Sequence, residues 1–327
     1  MSRPRFSFCF TLDTEPDDLW ANRPTLTFEH FNRLDAFHRR ILDAGARPTY
    51  LTTSEVAEDP SARNAVFQCL GQGNCEIGAH FHTWTREWPF PVPQLERRDL
   101  HAMAHQFGEE IETAMLEYTC DSIEKSFGSR PRCYRGGRFS FGPSTLNALK
   151  RCGVRIDSTY TPGIDWRDSQ HPLLDGTDFR NVRRDPHFLS DDGAQSVLEI
   201  PMGAAWLPPF TARMGPFMQK QARRVGKLIG MPLGHRWLRP TYVSTGDLVA
   251  TLKQMKSDDI PVWVLVMHSS EIAPCTPLPT EEKVNALIER CLAAIEAAME
   301  LGAKPATLSE AAEPYLATRA APVQAHA

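Results

Sequence analysis

Strict alternation is the first pattern along the chain. In residues 5–13 (RFSFCFTLD), Phe6, Phe8, Phe10 and Leu12 fall on one side and Ser7, Cys9, Thr11 and Asp13 on the other. Bulky residues on one face and small ones on the other suit a curved, barrel-like sheet covered by helices. A helix is predicted over 28–44, ended by Gly45, followed by a short strand at 47–52 and a helical stretch through 62–70. Residues 75–82 (CEIGAHFH) read as the third strand. The longest helix is expected over 97–126, where Leu100, Met103, Phe107, Ile111, Ala114 and Tyr118 recur at helical spacing and Gly128 stops it. A strand at 132–135, a helix from Pro143 to Cys152 and a strand at 154–158 come next. Residues 261–268 (PVWVLVMH) are almost wholly apolar, as for a strand covered on both faces. A last long helix is expected behind Thr280 as its N-cap. Val284, Leu287, Ile288, Cys291 and Ile295 form its buried stripe, and Gly302 ends it.

Strands alternating with helices predict an α/β fold with a mostly parallel sheet. Residues 160–240 break the rhythm and read as a large insertion rich in Pro, Trp and Arg. The end of the chain, 317–327 (ATRAAPVQAHA), reads as a frayed tail, which leaves one domain over 1–316.

Composition narrows the function classes. With 42% hydrophobic and 23% charged residues in 327, the chain is of ordinary globular type, against disorder or a fibrous repeat. A net charge of -4 argues against a nucleic-acid binder. No apolar run is long enough for a transmembrane helix. Met-Ser-Arg-Pro-Arg leads into a strand without an apolar leader, so a cytoplasmic location is expected. Eight cysteines without a Cys-x-x-Cys pair read as small buried hydrophobes, held reduced.

The charge is unevenly spread. From Ile200 to Gly246 there is no Asp or Glu, whereas Arg213, Lys220, Arg223, Arg224, Lys227, Arg236 and Arg239 all fall there, interleaved with Trp206, Phe210, Phe217 and Trp237. Around 217–229 the pattern fits a basic amphipathic helix. Two readings stay open: peripheral contact with an anionic membrane or lipid phosphate through 213–239, or a helix packing its apolar side on the barrel.

The candidate chemistry lies at the carboxyl ends of predicted strands, where parallel α/β sheets place their sites. Strand one ends in Asp13-Thr14-Glu15, followed by Asp17 and Asp18. Asp13 and Glu15 share the small-residue face, unless they simply begin a solvated loop. Strand three ends in Gly78-Ala79-His80-Phe81-His82, whose two histidines lie on one face with Gly78 leaving room beside them. Imidazoles plus a carboxylate are a usual ligand set for a hydrolytic divalent metal; the alternative is two half-buried histidines bonded to a loop. Tyr134-Arg135-Gly136-Gly137-Arg138 and Met267-His268-Ser269-Ser270-Glu271 end two further strands. Their convergence on one rim is the argument.

Taken in order, Thr-Leu-Asp-Thr-Glu, Glu-Ile-Gly-Ala-His-Phe-His, Tyr-Arg-Gly-Gly-Arg, Asp-Ser-Thr-Tyr-Thr-Pro and Met-His-Ser-Ser-Glu resemble the five motifs of the polysaccharide deacetylases, carbohydrate esterase family four. The resemblance covers roughly residues 5–310, with 160–240 outside it. It implies a distorted (β/α)7 barrel and metal-dependent hydrolysis of an N-acyl group, acetyl above all, on an amino sugar of a surface polysaccharide or its precursor. By the same resemblance, Asp13 is the general base, His80 a metal ligand, Arg135 the arginine that orients the base, His268 the acid toward the leaving amine, and Asp157 the acid that tunes it. Two positions depart from the family pattern. Thr14 stands where a second Asp is usual, so Glu15 becomes the carboxylate ligand. Trp84 stands at the second histidine's place, so His82 is the substitute. The implied set is Glu15, His80 and His82 around a divalent metal, zinc being expected. The other readings are a deformylase or imide hydrolase on the same barrel, and a non-catalytic glycan-binding member of the fold.

Overall fold

The alternation in the first strand becomes a two-sided sheet in the computed structural model, which describes residues 6–19, 25–93, 103–167, 176–213 and 234–320. Strands β1 (Ser7–Thr14), β2 (Pro48–Thr52), β3 (Glu76–Phe81), β4 (Cys133–Gly136) and β5 (Ile156–Asp157) run parallel and side by side. Strand β6 (His187–Phe188) is antiparallel to β7 (Leu198–Glu199), which itself continues the parallel set beside β5. Strands β8 (Ala204–Leu207) and β9 (Gly234–Trp237) form a separate antiparallel pair. Strand β10 (Val262–His268) lies parallel to β1 on its other side, with β11 (Lys304–Pro305) against the start of β1.

The two edges of this sheet meet. Gly203 N–H donates to Val264 O at 2.9 Å, Leu238 N–H to Gly203 O at 2.7 Å, and Val266 N–H to Leu238 O at 3.0 Å. The result is a distorted β/α barrel, as the sequence predicts.

Each face of the strands has its own core. Phe6, Phe8, Phe10 and Leu12 point outward into a layer completed by helices α1 (Leu34–Asp43), α2 (Ser54–Glu58), α3 (Pro60–Gly71), α4 (Glu109–Phe127), α5 (Pro143–Arg151), α6 (Thr245–Ser257) and α7 (Glu281–Glu300). Cys9, Leu51, Cys133, Ile156, Leu198 and Val264 fill the interior. Helix α8 (Leu308–Ala320) adds Leu308, Ala311, Ala312 and Leu316 to that inner cluster. It sits near the strand starts, where Leu308 N–H donates to Thr49 Oγ1 and Ser309 N–H to Glu76, each at 3.0 Å. All eight cysteines are free, and every one but the half-buried Cys75 is buried. No described helix is long and apolar enough to cross a membrane.

Local signals set several helix ends. Asp59 caps α3, accepting from the Ser61 and Ala62 amides just behind Pro60. Thr280 caps α7 by accepting from Lys283 N–H. Gly128 ends α4 at φ +81, in the left-handed region.

Three expectations change. The helix predicted over 97–126 begins only at Glu109, because Gly108 turns the chain at φ +80 after a short 3-10 turn at Ala104–Phe107; residues 94–102 lie outside the described set. The stretch 160–240 is more than an insertion, since it supplies β7 and the Gly203 and Leu238 backbone that closes the ring. Residues 317–320 extend α8 instead of fraying, and 321–327 lie outside the described residues. Helices α2 and α6 have no counterpart among the elements the sequence predicts.

A buried acid pair joins β5 to β7. Asp157 faces Glu199 in the strand register, and both are fully buried. Thr159 Oγ1 donates to Asp157 at 2.6 Å and Tyr160 N–H to Glu199 at 3.0 Å. Burial raises both carboxyls, and Asp157 Oδ2 and Glu199 Oε2 are buried without a hydrogen-bond partner, an arrangement that favours a proton retained by the pair. The folded chain therefore holds a proton that the unfolded chain releases in the ordinary carboxylate range. This contribution to stability is complete in acid and is lost as pH rises from about 4 toward 7. Urea midpoints measured across that window should fall less steeply in Glu199→Gln than in the wild type; parallel slopes would contradict the shared proton.

Candidate active site

Strand register does most of the assembly. In the parallel pairing, Asp13 lies beside His268 and His80 beside Arg135, each pair at the carboxyl end of its strands. All four face inward, one layer above the interior core. Glu15 follows just after β1, its N–H donating to Ser269 Oγ at 3.1 Å.

Glu15, His80 and His82 converge. Their ligand atoms lie within 4.8 Å of one another, and all three residues are buried. His82 Nε2 is 3.0 Å from Glu15 Oε2, His80 Nε2 is 3.6 Å from the same oxygen, and the two Nε2 atoms are 3.2 Å apart. Ligands ~2.1 Å from a tetrahedral ion stand about 3.4 Å from each other, so this set fits a divalent cation with one position left open. The chemistry of the donors agrees. His80 Nδ1–H donates to Arg135 O at 2.8 Å, which leaves its Nε2 lone pair facing the cluster. Burial pushes His82 down to about 4, keeping it neutral as a ligand must be. Burial alone would raise Glu15, but its surroundings, with His268 the largest influence and His82 Nε2 3.0 Å away, outweigh it and hold the carboxyl well below its usual range. Trp84 covers the outer side, its ring centroid 4.5 Å from that of His82.

Asp13 stands beside this cluster on a buried arginine. Arg135 Nη1 donates to Asp13 Oδ1 at 2.6 Å, while its Nε and Nη2 donate to Ser158 O at 2.8 Å and Ser158 Oγ at 3.2 Å. Burial raises the Asp13 carboxyl, yet the Arg135 charge, with His80 and His268, brings it below the ordinary value. Asp13 is therefore ionised at neutral pH with Oδ2 turned toward His268, whose Nε2 lies 3.7 Å away. His268 is the most open of the group, with 20% of its side chain exposed.

Other residues of the site belong to no predicted role. Arg239 Nη2 lies 2.9 Å from His268 Nδ1 and 2.8 Å from Glu271 Oε1, while Glu271 Oε2 accepts His268 N–H at 2.9 Å. Behind Glu15 runs a buried chain: Glu15 N–H donates to Ser269 Oγ, Ser269 lies 3.0 Å from His30 Nε2, and His30 Nδ1 bonds Asp17. The order Ser–His–Asp is that of a nucleophilic triad. Here Ser269 has no exposed surface, so the chain holds the Glu15 backbone and has no access to a substrate. His30 has no sequence signal of its own, whereas Ser269 and Glu271 lie in the motif that ends β10.

A cavity of about 740 Å³ opens over Asp13, His80, His82 and His268. Phe139, Trp166, Trp237 and Tyr242 line it, with Phe139 and Trp166 stacked at 5.1 Å. Arg138 and Phe139 both adopt left-handed backbone, φ +55 and +56, a strained turn at the cavity wall.

Six of the seven predicted residues thus meet: Asp13, Glu15, His80, His82, Arg135 and His268. Asp157 does not join them. One residue past the inward-facing Ile156, its side chain takes the outward face, and its partners are Thr159 and Glu199. Of the basic stretch 213–239, residues 214–233 lie outside the described set, including the amphipathic segment 217–229. Arg239, by contrast, is buried at the site.

No protein-family model and no curated protein matches this sequence. Solved structures do. A candidate polysaccharide deacetylase of Mycobacterium smegmatis aligns over 98% of this chain and 95% of its own, at 18% identity and TM-score 0.56. One from Pseudomonas aeruginosa PAO1 aligns over 97% and 93%, at 12% identity and TM-score 0.56. The 4-alpha-glucanotransferase of Thermococcus litoralis covers 95% of this chain and 40% of its own, at 12% identity and TM-score 0.52. At these identities the likeness is one of fold. The barrel is that of the proteins named polysaccharide deacetylases, and it is also found in an enzyme named for different sugar chemistry.

Gly137 offers a test that leaves every ligand in place. A Cβ there would stand 2.3 Å from Phe81 O and 2.7 Å from His82 Nδ1. Gly137→Ala should therefore move His82 and weaken the hold of this site on an added divalent ion by about tenfold or more, the scale of ligand-orienting changes, while thermal unfolding stays cooperative. Calorimetric zinc titration reads this; an unchanged affinity would show that the ring is not held there.

Proposed function

We propose that the chain is a zinc-dependent hydrolase that removes an N-acyl group, acetyl first, from an amino sugar of a polysaccharide or its precursor. One observation carries this reading. An ionised Asp13, fixed by Arg135, lies beside a buried Glu15, His80 and His82 ligand set on the floor of an open, aromatic-walled cavity. The structural likeness to candidate polysaccharide deacetylases supports the choice of substrate class.

Each residue has a part that follows from its surroundings. Glu15, His80 and His82 would hold the ion. When bound, zinc polarises the acyl carbonyl and makes water a better nucleophile. Asp13 takes a proton from the attacking water, with Oδ1 anchored by Arg135 and Oδ2 free toward the cavity. His268, on the solvent side of Asp13, faces the place of the leaving nitrogen. The aromatic wall excludes water from one side of a sugar ring and offers its π faces to the ring C–H bonds.

Acetate or formate release from a panel of N-acylated glyco-oligosaccharides tests this directly. Chelation should abolish release and added zinc restore it. Asp13→Asn should lower kcat by about 10²–10⁴, the range for losing a general base. Chelator-resistant release, or near-wild-type turnover in Asp13→Asn, would sink the proposal; metal-free protein that binds glycan without turnover would favour a binding role instead.

A further inference from the structure

The cavity over the ligand set takes its walls from around the barrel ring. Asp18 and Thr276 stand on the β1–β10 side, and Met103 comes from the stretch between β3 and β4. Strands β4 and β5 lie across the ring from β10 and β1, and the chain beyond them supplies Phe139 and Trp166. Trp237 and Tyr242 flank the Leu238 backbone that closes the ring. Polar and aromatic walls therefore face each other over the ligands. The polar one is fixed: Asp18, at φ +38, accepts from Thr276 N–H at 2.9 Å and from Thr276 Oγ1 at 2.8 Å. The 740 Å³ enclosed is within the range, about 300–1,000 Å³, of pockets that surround most of a small ligand.

The aromatic wall is a continuous ladder. Phe139 stacks on Trp166 at 5.1 Å, Trp166 lies 6.1 Å from Trp237, and Trp237 lies 6.5 Å from Tyr242 with planes within 5°. The first three rings are half-buried, whereas Tyr242 is 65% exposed, which puts the end of the ladder at the cavity mouth. Tyr242 is nevertheless held in place. Its N–H donates to Arg239 O at 3.1 Å, and the buried Arg239 guanidinium lies 5.6 Å from its ring centre. A large ring fixed in the open, continuous with an apolar wall, is a surface that suits a ligand. Trp166 and Trp237 belong to the 160–240 stretch, which lies outside the resemblance to the deacetylase motifs.

We infer that this site takes a glycan end-on. One terminal amino-sugar residue sits on the floor, and the next residue lies against Trp237 and Tyr242 as the chain leaves through the mouth. The inference rests on the hydrolase reading and narrows its substrate to a chain end or a glycan of one or two residues, in place of the internal residues of a long polymer. A sugar ring has an apolar C–H face and a rim of hydroxyls. The ladder meets the face, and Asp18 and Thr276 meet the rim. A long polymer lying across the barrel would have to pass through these facing walls.

Zinc-loaded protein and β-1,4-linked N-acetylglucosamine chains of one to six residues test this, with acetate release measured and the deacetylated residue located by mass spectrometry. Each chain should lose one acetyl group, always from the same end. The kcat/KM should rise from one residue to two and then stay level. In Tyr242→Ala the two-residue to one-residue ratio of kcat/KM should fall about three- to tenfold, the scale of one aromatic contact. Acetyl loss from internal residues, or a kcat/KM that keeps rising to six residues, would overturn end-on entry; an unchanged ratio in Tyr242→Ala would overturn the place given to the second residue. Calorimetric binding of the same chains to zinc-loaded Asp13→Asn keeps this separate from the hydrolase reading. If no chain is deacetylated, that reading fails, and affinity that levels off at two residues still supports end-on entry. Affinity that grows with every added residue, or no binding at any length, would overturn it.

Discussion

The Asp13–Arg135 ion pair is the interaction on which the rest of the site depends. Its two side chains are 3% and 0% exposed, so each charge has given up nearly all its water. Removing one partner from such a pair costs about 3–5 kcal/mol, because the other stays buried and uncompensated. The pair joins residues 122 apart in sequence and crosses the barrel interior from β4 to β1. Ser158, which receives the rest of the guanidinium, passes the connection to Ile200 O at 2.8 Å. One arginine thus ties together β1, β4, β5 and the chain after β7. It also divides the labour of the Asp13 oxygens, one held and one free.

Below this pair the interior is apolar, and above it is the cavity. The same inward face of β1 reads Cys9 in the core, Thr11 bonded to Leu265 O at 2.7 Å, and Asp13 at the site. Polarity rises along the strand as the barrel opens. Depth in the barrel, more than residue type, decides which side chains become chemistry.

What was legible in the sequence follows from range. The alternation of β1, the apolar run of β10 and the segment leading to the i, i+2 histidines are local patterns, and the structure shows strands there, with His80 in β3 and His82 just past its end. Parallel register then brings Asp13 to His268 and His80 to Arg135 without further information. Strand β7 has no sequence signature because only two of its residues pair in the sheet, too few for a period. In the sequence Arg239 belongs to a basic stretch, since its neighbours there are other cations; only the fold reveals Glu271 and His268 as its partners. Asp157 stands outside the inward-facing group by one residue of alternation. On a strand that short, the step from Ile156 to Asp157 separates interior from exterior.

The placement of β1 bears on how the chain becomes a protein at all. Strand β1 is made before the strands it pairs with, and β10 and β11 are two of its three neighbours, so its pairing waits for residues up to Pro305 to be made. Until then the outward row of Phe6, Phe8, Phe10 and Leu12 lacks much of its cover, including α7. Such long-range closure is slow and exposes unpaired strand edge during synthesis. Early in its life this barrel therefore carries an open strand edge beside an uncovered aromatic row, the pairing of features that favours association between chains over folding.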